Sequence, residues 1–179
     1  PNKLTTFRVI LIPFFVFFML SEHIAYHNYI AVAIFIVASL TDMLDGKIAR
    51  KYNLVSNFGK FMDPLADKLL VSSAMICFVA LPSNPMPAWV VIVIIAREFI
   101  ISGFRLVASD AGVVIAASYW GKIKTVTQMI MSILLIVNFD GYIINIVEYV
   151  FIYAALILTV ISLVDYMVKN WSVMRDGNM

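Results

Sequence analysis

Apolar residues fall into six long blocks, at about 4–20, 29–50, 60–81, 88–108, 119–138 and 142–168. Each block can cross, or nearly cross, a hydrocarbon core of about 30 Å at about 1.5 Å rise per residue, the first being the shortest. Polar or proline-bearing breaks separate them: Ser21 to Asn28, a turn around Asn53, Ser56 and Asn57, Pro82 to Pro87, Ser109 to Ser118, and Asn138 to Gly141. The pattern predicts an all-α polytopic membrane protein with six transmembrane helices, forming one membrane domain over residues 1–179. Pro13 is expected to kink the first helix. Composition agrees: 63% of residues are hydrophobic, 13% are charged and the mean hydropathy is +0.95, far from an ordinary soluble domain.

The cations provide an independent count of the spans. With six, the amino terminus, the second and fourth connections and the carboxyl terminus share one side. All thirteen Lys and Arg residues lie there or in the adjoining helix ends, whereas the other connections carry Glu22, Asp140 and Glu148 at most. By the positive-inside rule both termini and the second connection are cytoplasmic. A net charge of +2 is too small to point to nucleic acid. Cys77, the single cysteine, lies in an apolar run and reads as a small buried hydrophobe. His23 and His27 read as an incidental loop pair, and Trp89, Tyr119, Trp120, Tyr166 and Trp171 as interfacial anchors.

The chemistry concentrates in residues 42–67. The order is Asp42-x-x-Asp45-Gly46-x-x-Ala49-Arg50, eight residues, then Gly59-x-x-x-Asp63-x-x-x-Asp67. Steps of three, four, seven and eight return to one helix face, so Asp42, Asp45, Gly46, Ala49 and Arg50 form one stripe and Gly59, Asp63 and Asp67 another. On two antiparallel helices these stripes can face each other near the cytoplasmic surface. Four clustered carboxylates repel unless cations, protons or water intervene. Hard oxygen donors suit Mg²⁺, Mn²⁺ or Ca²⁺, and four of them can hold two ions at the spacing used in phosphoryl chemistry. Gly46 and Ala49 leave room for a ligand beside the aspartates, and Arg50 can clamp a phosphate in bidentate fashion. Alone, the two small residues would read as helix packing.

All eight positions of this stretch match the signature of the CDP-alcohol phosphatidyltransferase family, which the chain therefore resembles. The resemblance implies a homodimeric membrane enzyme that displaces CMP from a CDP-linked substrate with an alcohol, using two Mg²⁺ or Mn²⁺ ions. It makes Asp42, Asp45, Asp63 and Asp67 the metal ligands and Asp67 also the general base. Gly46, Ala49 and Arg50 would line the cytidine nucleotide site, with Gly59 permitting close approach; Asn2 and Thr5 could also reach it, although helix capping suits Thr5 better.

A finer likeness covers most of residues 2–128. Lys51-Tyr-Asn, Phe58 to Lys68, Ala96-Arg-Glu-Phe99, Ser102-Gly-Phe-Arg105, Ala116-Ala-Ser118 and Gly121-Lys-x-Lys-Thr125 are similar to the bacterial members that make phosphatidylglycerophosphate. This implies CDP-diacylglycerol as donor, glycerol 3-phosphate as acceptor, and a place in the bacterial cytoplasmic membrane with the site facing the cytoplasm. A dianionic acceptor needs cations, for which Lys60, Arg97, Arg105, Lys122 and Lys124 are candidates. Competing roles are a salt bridge from Arg97 or Arg105 to Glu98 or Asp110, and topology signalling by the lysines. Two other functions fit less of the pattern. One is the same chemistry with inositol phosphate or serine as acceptor. The other is a divalent-cation or proton transporter, which would need ionisable groups across the whole membrane.

In a Cys77→Ala background, a membrane-impermeant maleimide applied to intact cells should label Asp140→Cys but not Ser56→Cys. Labelling of Ser56→Cys from outside would break the six-span arrangement.

Overall fold

The computed structural model describes residues 2–21, 23–52, 57–83, 85–110, 115 and 118–171; within these, the side chains of 2–5, 42–52, 57–64, 67 and 110 are outside the description. Six helices follow one another: α1 (Asn2–Leu20), α2 (His27–Tyr52), α3 (Asn57–Ala80), α4 (Ala88–Asp110), α5 (Tyr119–Val137) and α6 (Tyr142–Lys169). No strand occurs among the described residues. The helix ends track the apolar blocks, the largest shift being the start of α3 at Asn57 where the pattern suggested 60. Helix α1 continues through Pro13. Two helices, α5 and α6, are long and apolar enough over their described length to cross a bilayer.

The stops have local causes. Asn138 ends α5 with φ 51°, a left-handed conformation that asparagine tolerates, and its N–H donates to the Leu134 carbonyl at 3.1 Å. Pro87 precedes α4, and its carbonyl accepts from Val90 N–H at 3.0 Å. Ser118 caps α5: its Oγ accepts from Gly121 N–H at 3.1 Å, satisfying one of the donors that a helix start leaves over.

The chain divides into two compact units, Pro1–Pro85 with Ser132–Phe139, and Met86–Met131 with Asp140–Met179. In the first, α1 packs on α2 and α3, and α2 on α3. The buried positions step by three and four: Arg8, Ile12, Phe15 and Met19 in α1; Ala31, Phe35 and Ala38 in α2; Ala66, Leu70 and Ala74 in α3. Phe15 meets Phe35 with ring centroids 5.8 Å apart, and the alanines on either side of Phe35 let the helices approach closely. Arg8 is 1% exposed on the inward stripe of α1. In the second unit α4 packs on α6. The inward stripe of α6 is Glu148, Ile152, Ala155, Thr159, Ser162 and Tyr166. Glu148 therefore belongs to the buried face of a helix and not to a connection.

Removing the Phe35 ring should lower stability by about 3 kcal/mol, the usual cost of a large aromatic cavity. Denaturant unfolding in detergent of Phe35→Ala, beside Ile36→Ala at a more exposed position, measures it.

Candidate functional site

Asp42, Asp45, Gly46, Ala49 and Arg50 all lie on the continuous helix α2, and Gly59, Lys60, Asp63 and Asp67 on α3. Their side chains, and those of Asn2 and Thr5 in α1, fall outside the described residues. The backbone register is informative nonetheless. Four and seven residues beyond Ala38, the stripe of Ala31, Phe35 and Ala38 reaches Asp42 and Asp45. On α3, Asp63 and Asp67 precede the buried Leu70 by seven and three. All four aspartates thus sit in register with stripes that are inward-facing deeper in the same helices, on two helices that pack together. A donor set made only of carboxylates, at neighbouring ends of one helical hairpin, fits hard divalent cations. Among the described residues no three His, Cys, Asp or Glu side chains gather to hold a metal.

The acceptor candidates on α4 and α5 are described in full. Arg97 is 8% exposed and its Nη1 donates to Glu98 Oε1 at 3.0 Å, the salt bridge weighed from sequence. Lys124 Nζ donates to the same Oε1 from α5. Arg97 Nε is buried without a hydrogen-bond partner among the described residues. The guanidinium passes beside Gly121, where a Cβ would meet Arg97 Nη2 at 3.6 Å and Ser118 Oγ at 3.4 Å. Lys124 and Gln128 share the buried face of α5, whereas Lys122 is exposed.

Eight residues along α4 from Arg97, the Arg105 guanidinium lies over the Tyr166 ring, 5.6 Å from its centroid, and Phe104 meets that ring edge-on at 5.8 Å. Arg105 Nε is also buried without a partner. Tyr166 is 2% exposed, so it is a buried support for Arg105 and not the interfacial anchor its position suggested. The other anchor candidates, Trp89, Tyr119, Trp120 and Trp171, are exposed. Sequence reasoning did not find Glu98 as a shared acceptor, Tyr166 as a platform or Gly121 as a gap. The available signal was periodic: Gly121 lies one helical turn before Lys124, and Tyr166 seven after Thr159 on the α6 stripe.

A cavity of about 320 Å³ lies at the other end of the first unit, lined in part by Met19, His27, Asn28 and Leu81. None of its lining residues is Asp, Glu, Lys or Arg, and His27 turns Nδ1 to the Phe18 carbonyl at 3.2 Å, closing the α1–α2 turn.

The sequence profile of the CDP-alcohol phosphatidyltransferase family matches residues 1–161. The CDP-diacylglycerol--glycerol-3-phosphate 3-phosphatidyltransferase of Bacillus subtilis is 44% identical over 194 aligned residues, covering 99% of this chain and 98% of its own. The protein of the same name from Haemophilus influenzae is 40% identical over 174, covering 93% and 90%.

Tyr166→Phe should be as stable as the parent, because it keeps the ring beneath Arg105 and removes a buried hydroxyl that has no partner. Tyr166→Leu, which loses the ring contacts with Arg105 and Phe104, should be less stable by about 1–3 kcal/mol. Thermal unfolding of the two variants in detergent separates the contributions of ring and hydroxyl.

Proposed function

Because the chain belongs to the CDP-alcohol phosphatidyltransferase family, we propose that it transfers the phosphatidyl group of CDP-diacylglycerol to glycerol 3-phosphate, giving phosphatidylglycerophosphate and CMP. The observation that carries the reading is the eight-position signature from Asp42 to Asp67, borne by two helices that pack together. The names of the relatives, which cover nearly the whole chain, support the choice of substrates.

Asp42, Asp45, Asp63 and Asp67 hold two divalent ions, Mg²⁺ or Mn²⁺. When bound, these supply the positive charge that neutralises the pyrophosphate and stabilises departing CMP. Gly46, Ala49, Arg50 and Gly59, with Asn2 and Thr5, receive the cytidine nucleotide. Arg97, Arg105 and Lys124, with Lys60 and Lys122, hold the acceptor's phosphate; the buried, unpartnered Nε atoms of the two arginines support this role. Asp67 takes the proton from the acceptor hydroxyl as its oxygen bonds to the phosphorus attached to diacylglycerol. The bond from that phosphorus to the oxygen bridging to CMP breaks, and the electron pair leaves with CMP. A carboxylate with an ordinary pKa near 3.9 is a weak base, so proton transfer must accompany bond formation.

The same reading makes all six helices transmembrane in the bacterial cytoplasmic membrane, with both termini and the α2–α3 end cytoplasmic and the active form a homodimer embedded among lipids. The distribution of the thirteen cations and the length and apolar character of α5 and α6 support it.

Purified protein should release CMP from CDP-diacylglycerol with Mg²⁺ and glycerol 3-phosphate; folded protein that releases none with any candidate alcohol would reject the transferase. Asp67→Asn should retain nucleotide binding while turnover falls by about 100-fold or more. Asp42→Asn should weaken Mn²⁺ binding measured by calorimetry. Parental turnover in either variant overturns its assigned role.

A further inference from the structure

Two helices of the second unit are tied by a single carboxylate. Glu98 Oε1 accepts from Arg97 Nη1 at 3.0 Å on its own helix and from Lys124 Nζ on α5, twenty-six residues away in sequence. The side chains of Arg97 and Lys124 are 9% and 2% exposed, and that of Glu98 17%. Two cations so placed repel each other, and the shared oxygen is what allows them to stand together.

The way Glu98 engages Arg97 matters as much as the charge. A guanidinium presents two edges to an oxyanion, one made by Nη1 and Nη2, the other by Nε and Nη2. Glu98 takes Nη1. The Nε–Nη2 edge is not taken by Glu98: Nε is buried with no partner among the described residues, and Nη2 lies beside Gly121, where a Cβ would stand 3.6 Å from it. A buried donor left unsatisfied is costly, so this edge is shaped for an oxygen that none of the described residues supplies.

We propose that Glu98 is a positioning residue for the acceptor: it turns the Nε–Nη2 edge of Arg97 toward the acceptor's phosphate, holds Lys124 beside it, and so selects a phosphorylated alcohol over a neutral one. Gly121 keeps the approach to that edge open. The proposal rests on the reading of Arg97 and Arg105 as the acceptor's phosphate cradle. Glu98 touches neither substrate; it acts through the two cations.

Steady-state kinetics on the full-length protein in lipid–detergent micelles provide the test. Glu98→Gln should raise KM for glycerol 3-phosphate by about tenfold or more, while kcat and KM for CDP-diacylglycerol change by less than about threefold. Glu98→Asp, which restores the charge, should recover most of the loss. Gly121→Val keeps every charge but fills the space beside Nη2, and should raise the same KM; it also stands in for Glu98→Gln should that variant fail to fold. An unchanged acceptor KM in the folded variants, or equal losses in kcat and both KM values, overturns the proposal. Arg105→Lys separates the two levels. If it raises the acceptor KM while Glu98→Gln and Gly121→Val do not, the cradle stands and the role of Glu98 falls; if none of the three does, the cradle itself is wrong.

Discussion

A charge withdrawn from water needs an opposite charge or a set of hydrogen bonds close by, and that requirement governs how these helices are built. The inward stripes of α1 and α4 are mostly apolar and those of α5 and α6 mix apolar with polar residues, and together they include Arg8, Arg97, Lys124 and Glu148. Such groups are too costly to leave by chance on a face of Phe, Ile and Ala. Among the described residues, Arg97 and Lys124 share Glu98, and Arg105 stacks on Tyr166. The helices pack by the usual three-and-four spacing, and the charged residues occupy positions within that spacing. Packing and ligand chemistry consequently use the same register.

The aspartate hairpin obeys the same rule. Phe35 and Phe15 fix α1 against α2, and from Phe35 one heptad leads to Asp42. Tight aromatic packing in one half of the helix therefore sets the backbone register of Asp42 and Asp45 in the other. The family relationship then gives that placement a purpose, since phosphoryl transfer demands that several anions and a pyrophosphate share one small space.

Much of this was legible in the sequence. Long apolar blocks and polar breaks fixed six helices, because length and hydropathy are local properties; Asn138 and Pro87 end or precede helices for reasons visible in one or two residues. The signature from Asp42 to Asp67 was legible because its spacing is helical. Partners between helices were not. Arg97 and Arg105 had Glu98 and Asp110 nearby in sequence to choose from, and nothing local pointed to Lys124. Tyr166 looked like a boundary aromatic because depth was judged from distance to the helix end, whereas the rotation of α6 decides its burial. Glu148 was counted with the connection although it lies inside the last apolar block, because its charge was weighed by topology and not by the rotation of α6 that buries it.

Helix α6 carries a further consequence in its length. Its 28 residues extend about 42 Å at about 1.5 Å each, against a hydrocarbon slab of about 30 Å. As a span it must lean or project about two turns into the headgroup region, where the Lys169–Asp165 pair and Trp171 would meet polar surroundings. Tyr166 lies within a turn of that end, so a thicker or thinner bilayer would tend to rotate and slide the platform under Arg105. Acyl-chain length in the surrounding lipid would thereby become a mechanical input to a protein whose own product is a phospholipid.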